Sequence, residues 1–209
     1  MDRNDESRIS RDPSADPPRE SLRRALIEAR RRSTPQERRA ASEDLAARLE
    51  AWLGDVAGES IAAYWPIRGE PDLGALFGRW AGAGARLALP VVDAPRTPLR
   101  FVAWHPGEPT VPGPHGIPRP PREDAVRPSV LVVPCVGFDA RGYRLGYGGG
   151  FYDRTLAALA ADGGAAPRAI GVAWDDALLE TFDPLPTDVP LEAVVTPTRV
   201  LRPGDPGPR

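Results

Sequence analysis

Gly146, Gly148, Gly149 and Gly150 fall in one short stretch that opens onto Phe151, Tyr152, Asp153 and Arg154. Glycines let a backbone come close to a ligand and adopt angles closed to other residues, so consecutive amides can form an anion nest. The start of a helix presents further unpaired N–H groups to the same anion. Arg141 and Arg144 add mobile, bidentate positive charge on the upstream side. The segment therefore reads as a receiver of phosphate. It lacks the lysine and Ser/Thr of a Walker loop, and its spacing is not that of the dinucleotide fingerprint. A glycine cluster alone can also serve merely to let a strand reach a helix; the flanking arginines and the strand-to-helix context favour the phosphate reading. Asp153, in the first turn of the helix, either complements the macrodipole or holds a magnesium ion beside a triphosphate, and spacing does not separate the two.

The elements that must position these residues follow from periodicity. Leu22, Ala25, Leu26 and Ala29 recur at helical spacing, while Arg23, Arg24, Arg30, Arg31 and Arg32 fill the other sides, which predicts a helix with a strongly basic face. Thr34-Pro35-Gln36-Glu37 is a capping box with proline at the first helical position. The second helix it opens buries Leu45, Leu49, Trp52 and Leu53 and stops at Gly54. Short apolar runs then alternate with helical patterns. Strands are expected at 60–65, 86–91, 99–104, 129–133, 168–174 and 192–196, and helices at 72–81, 151–161 and 176–181. The run at 129–133 is branched and apolar throughout, the mark of a strand buried on both faces. Residues 105–122 form a proline- and glycine-rich connection, long enough to suggest a functional loop. The alternation implies crossover units and an α/β fold, a three-layer sandwich with a mostly parallel sheet and helices on both faces, Rossmann-like in kind. One compact domain is expected over 19–201, with loose, proline-rich tails at 1–18 and 202–209.

Composition narrows the function. A formal charge of -2 leaves no global basic field for a nucleic-acid backbone or a membrane surface. No apolar run approaches the length of a spanning helix, and residues 1–18 are too polar for a secretory signal, so a cytoplasmic protein is expected. The single cysteine, Cys135, excludes an internal disulfide and a cysteine metal cluster, and with no paired base in sight it reads as packing. All 27 basic residues are arginine.

The string RGYRLGYGGGFYDR, with the Tyr-Trp-Pro-Ile-Arg-Gly-Glu segment, the basic N-terminal helices and the late Asp-Val-Pro, resembles the signature of the 5-formyltetrahydrofolate cyclo-ligase family, also called methenyltetrahydrofolate synthetases. The likeness runs from Arg19 to about Val200. It implies ATP-dependent closure of 5-formyltetrahydrofolate to 5,10-methenyltetrahydrofolate with release of ADP and phosphate, and ATP and magnesium as cosubstrate and cofactor. By resemblance, Arg19, Arg23, Arg144, Leu145, Gly146, Tyr147, Gly148, Gly149, Gly150, Phe151, Tyr152 and Asp153 bind ATP, and Asp153 and Asp188 hold magnesium. Glu70, His115 and Tyr152 bind the folate, and Glu70 and Arg144 serve the chemistry. The chain departs from the family where Arg19 replaces a lysine, His115 replaces an aromatic and Thr187 replaces a histidine. Small-molecule partners, a monomer, and no nucleic acid or membrane are expected. The rival readings are a nucleotide-binding paralogue with altered or lost folate activity, and a non-catalytic module whose basic first helix docks RNA.

Overall fold

The computed structural model describes residues 19–180 and 182–205. The tail expected at 1–18, and residues 206–209 of the tail expected at 202–209, lie outside the described residues. Within them, helices α1 (Arg19–Arg30) and α2 (Pro35–Leu53) lead into strand β1 (Ser60–Ala62), helix α3 (Gly74–Gly82) and the hairpin strands β2 (Arg86–Val91) and β3 (Arg100–Ala103). A small ribbon, β4 (Val111–Pro112) with β5 (Pro118–Arg119), precedes β6 (Val130–Pro134), and a second ribbon, β7 (Gly137–Phe138) with β8 (Arg144–Leu145), precedes α4 (Phe151–Ala161). Strands β9 (Arg168–Val172), β10 (Ala193–Val195) and β11 (Val200–Leu201) complete the chain.

The main sheet is seven-stranded, in the order β11-β10-β9-β6-β1-β2-β3. The strands from β10 to β2 run parallel, and β3 and β11 pair antiparallel at the two edges. Leu45 and Leu49 of α2 pack with Leu76, Phe77 and Trp80 of α3 on one face of the sheet, whereas Leu156 of α4 belongs to the cluster on the other. Helices thus cover both faces, as the alternating pattern predicts. Thr34 Oγ1 accepts from the Glu37 amide at 3.2 Å and the Glu37 carboxylate from the Thr34 amide at 2.7 Å, so the capping box forms.

Several sequence expectations need correction. The helix expected at 176–181 is a single 3-10 turn, Asp175–Ala177. Asp175 is drawn off by the Thr196 and Thr198 hydroxyls, and the Leu179 amide donates to the Phe138 carbonyl at 2.8 Å, which pulls the chain extended. The connection at 105–122 is not structureless: the Gly113 amide donates to the Ile117 carbonyl at 3.0 Å and closes the β4–β5 ribbon. In the tail expected at 202–209, the guanidinium carbon of Arg202 lies 4.3 Å from the Trp52 ring centroid. Arg30 does not belong to a solvated face. It is 5% exposed, while Ala25, expected inside, is exposed.

Candidate active site

The strand order reverses between β1 and β6, because the chain leaves β1 toward β2 on one side and later continues from β6 to β9 on the other. Open α/β sheets bind ligands in the crevice outside the carboxyl ends of their strands at such a point. A cavity of about 390 Å³ lies there, walled by Tyr64, Trp65 and Glu70 after β1, Val91 and Val92 at the end of β2, and Pro134 at the end of β6. The glycine turn closes another side, and Pro114, Ile117 and Arg119 of the β4–β5 ribbon fold over a third.

The turn itself is built as the spacing predicts. It runs from β8 into α4, Gly148 has φ +96° and Gly150, the helix N-cap, has φ +62°. No side chain caps α4, so its first amides are not covered by one. Gly146, Tyr147, Gly149, Gly150, Phe151, Tyr152 and Asp153 all line the cavity. Leu145 does not: its side chain is fully buried and its carbonyl accepts from the Val136 amide, so it can offer an ATP molecule no side-chain contact. Arg141 also lies elsewhere, at the tip of the β7–β8 ribbon, with its guanidinium on buried Asp139 at 2.7 Å.

Arg144 is 6% exposed at the cavity floor. It donates to Asp153 at 2.6 Å and to the Val189 carbonyl at 2.7 Å, which uses two of the five N–H groups of a guanidinium. Asp153 Oδ1 also accepts from the Val189 amide at 3.1 Å, and this draws the neighbouring Asp188 toward the same corner. Asp188 Oδ2 accepts from Arg19 at 2.7 Å and from the Leu185 amide at 2.9 Å. Arg19 and Asp188 stand outside the cavity lining. Arg23 bonds the rim instead, with Nε donating to the Gly146 carbonyl at 2.8 Å and its guanidinium beside Gly148. The side chain of His115 lies outside what is described.

Two features suit an anion and a cation together. Arg19 Nε and Arg154 Nε are buried without a protein hydrogen-bond partner, and orphan donors of this kind are ordinarily satisfied by ligand or water. One oxygen each of Asp153 and Asp188 carries no protein hydrogen bond among the described residues. No group of three or more His, Cys, Asp or Glu able to hold a metal occurs among the described residues. Magnesium does not need one, because it is held by one or two carboxylates plus phosphate oxygens and water. The donor set therefore fits that ion.

At the opposite wall, Glu70 is 6% exposed. Its Oε2 accepts from the Ile67 amide at 3.0 Å, and Tyr147 lines the same cavity. Burial pushes the carboxyl up from its ordinary value, against the Ile67 amide, the Tyr147 hydroxyl and the charges of Arg30 and Arg68, which pull it down. The turn that carries it is tightly held: Arg68 adopts φ 48°, and Trp174 Nε1 donates to the Gly69 carbonyl at 2.8 Å. Sequence reasoning missed Arg30, Tyr64, Trp65, Arg68 and Arg119. For Arg30 the signal was present, because Arg19, Arg23, Leu26 and Arg30 share one helical face at spacings of 4, 3 and 4.

The fold and the crevice define an enzyme of the open-sheet α/β class, with a phosphate-type turn on one side of a small-molecule cavity and a buried carboxyl on the other. Residues 15–197 match the model of the 5-formyltetrahydrofolate cyclo-ligase family, and the chain belongs to that family. The 5-formyltetrahydrofolate cyclo-ligase of Mycolicibacterium smegmatis is 37% identical over 189 residues, covering 85% of this chain and 93% of that protein. The enzyme of the same name from Escherichia coli K12 is 34% identical over 182 residues, covering 84% and 98%. The solved structure of Aquifex aeolicus 5,10-methenyltetrahydrofolate synthetase superimposes with a TM-score of 0.75 at 28% identity, over 91% of this chain and 95% of the other.

Proposed function

We propose that this chain closes 5-formyltetrahydrofolate to 5,10-methenyltetrahydrofolate with ATP, releasing ADP and phosphate. The observation that carries the reading is a single cavity that has the Gly146 to Gly150 turn with Arg144 on one side and buried Glu70 on the other. Triphosphate rests on the amides of the turn and of the α4 N-terminus, with Arg144, Arg23 and Arg19 around it. Asp153 and Asp188 hold magnesium, which when bound neutralises charge on the phosphate oxygens.

In the reaction, the formyl oxygen attacks the terminal phosphate, N10 then attacks the resulting N5 iminium phosphate, and phosphate leaves last. Alignment and charge neutralisation are the main demands of such a sequence, and no side-chain nucleophile is required. Glu70 orients the pterin and takes the N10 proton. Tyr152, on the cavity wall, offers its ring to the flat substrate. Cys135 takes no part: burial pushes its thiol up to about 12. The protein works as a cytoplasmic monomer on small molecules, without nucleic acid or membrane. No helix among the described residues is long and apolar enough to cross a membrane.

Purified protein given magnesium, ATP and 5-formyltetrahydrofolate should produce the absorbance of the methenyl product. Nucleotide binding without that absorbance would sink the folate reading and favour the paralogue.

A further inference from the structure

Arg30 is not among the phosphate contacts proposed above, yet it is one of the least exposed charges among the described residues, at 5%. A fixed charge at that depth is costly unless its donors are satisfied. Nη2 donates to the Cys135 carbonyl at 2.7 Å and Nη1 to the Tyr147 hydroxyl oxygen at 3.0 Å. Tyr147 in turn lines the same cavity as Glu70, and its hydroxyl favours the carboxylate form of that residue. The way the Tyr147 hydroxyl can act on Glu70 is forced. A guanidinium has no acceptor, so the phenol oxygen must receive from Arg30, and its one hydrogen is left for Glu70.

We propose that Arg30 is a positioning residue for ring closure, acting through the Tyr147 hydroxyl to keep Glu70 an acceptor aimed into the cavity. The inference rests on the cyclo-ligase reading above. In the step that Glu70 serves, N10 adds to the carbon of the N5 iminium phosphate and its proton passes to Glu70. The carbon–oxygen bond then breaks, with the electron pair leaving on phosphate.

The surroundings single out Arg30 for this role. Glu70 faces Arg68 from its own turn, Tyr64 from the end of β1, Tyr147 from the glycine turn, Tyr152 from α4, Cys135 after β6, and Arg30 from α1. Burial raises all three tyrosines and the cysteine, which therefore stay neutral near pH 7. That leaves the two arginines as the cations acting on Glu70. Arg68 is exposed, with its guanidinium 5.2 Å from the Tyr147 ring centroid, so solvent screens it. Arg30 is not screened in this way, and its Cβ also backs Gly69 at the foot of the Glu70 turn.

Arg30→Met keeps the apolar stem and removes the donors, whereas Arg30→Lys restores a charged donor. At saturating magnesium and ATP, the acid limb of kcat in Arg30→Met should move up by about one pH unit, equivalent to about tenfold lower kcat along that limb. KM for ATP should change less than about twofold, and Arg30→Lys should recover most of the displacement. Tyr147→Phe leaves Arg30 on the Cys135 carbonyl and should move the same limb in the same direction, which keeps the idea testable if Arg30→Met fails to fold. A limb that stays at its original pH in Tyr147→Phe or in folded Arg30→Met, whatever happens to Tm, overturns the inference. Failure of the unsubstituted protein to form methenyl product overturns the parent reading instead.

Discussion

Glu70 is a carboxyl whose surroundings pull in opposite directions. Burial favours its protonated form, while the Ile67 amide, the Tyr147 hydroxyl and two arginines favour the carboxylate, and burial dominates. Because the folded value is raised, the group's contribution to stability is fully present below its ordinary value of 4.5 and is lost as pH rises through the folded value. Glu70→Gln, which is never charged, should therefore melt higher than the parent at pH 7.5, with the difference shrinking toward pH 4. The same variant should bind ATP normally and turn over at least about a hundredfold more slowly, the usual contribution of a positioned acid or base. An unchanged rate would remove Glu70 from the mechanism. At this scale the sequence was informative where resemblance pointed and weak elsewhere. Glu70 on its own is an ordinary loop carboxylate, and only the fold reveals that it is buried. Arg30 was misjudged because charge normally seeks solvent, although its spacing with Arg19, Arg23 and Leu26 places it on the inward face.

Between β8 and α4 the turn depends on backbone angles that L side chains rarely adopt. Gly148 has φ +96°, whereas an added Cβ would meet the guanidinium carbon of Arg23 at an ordinary contact distance of 3.6 Å, so the backbone angle alone opposes a side chain there. Gly148→Ala should therefore strain the turn by about 1–2 kcal/mol and move the amides that face the phosphates. The expected result is a loss of at least about tenfold in kcat/KM for ATP with a smaller change in KM for folate; equal losses for both substrates would point to general unfolding. Long, strongly periodic elements were legible in advance: the capping box at Thr34, the strand at 86–91 and the helix at 151–161 all stand where patterning puts them. The β4–β5 and β7–β8 ribbons were not, because strands of two residues carry no periodicity and prolines at 112 and 118 argue against pairing. Both are closed by turn hydrogen bonds, from the Gly113 amide to the Ile117 carbonyl and from the Asp139 amide to the Tyr143 carbonyl, that no periodicity announces.

Across the whole molecule, the two proposed substrate positions meet at the reversal of strand order, so each should stiffen elements from both halves of the sheet. Ligands that bind only the folded state stabilise it by mass action, about 2.7 kcal/mol at a concentration of 100 Kd. For a chain of this size that corresponds to a rise in Tm of roughly 5–10 °C with ATP and magnesium. Asp153→Asn should abolish the magnesium-dependent part of the rise while leaving the metal-free response to nucleotide. A full response in that variant would move the metal away from Asp153.

The sole thiol of the chain has a practical corollary. Cys135 is 1% exposed and burial pushes its thiol up to about 12, so it should be silent toward alkylating dyes at neutral pH. A cysteine installed at Leu185, 54% exposed and three residues before Asp188, would then be the one site such a dye marks. The wild-type background thus already supplies a single-label reporter of how that stretch behaves when nucleotide arrives, with no need to delete a native sulfur first.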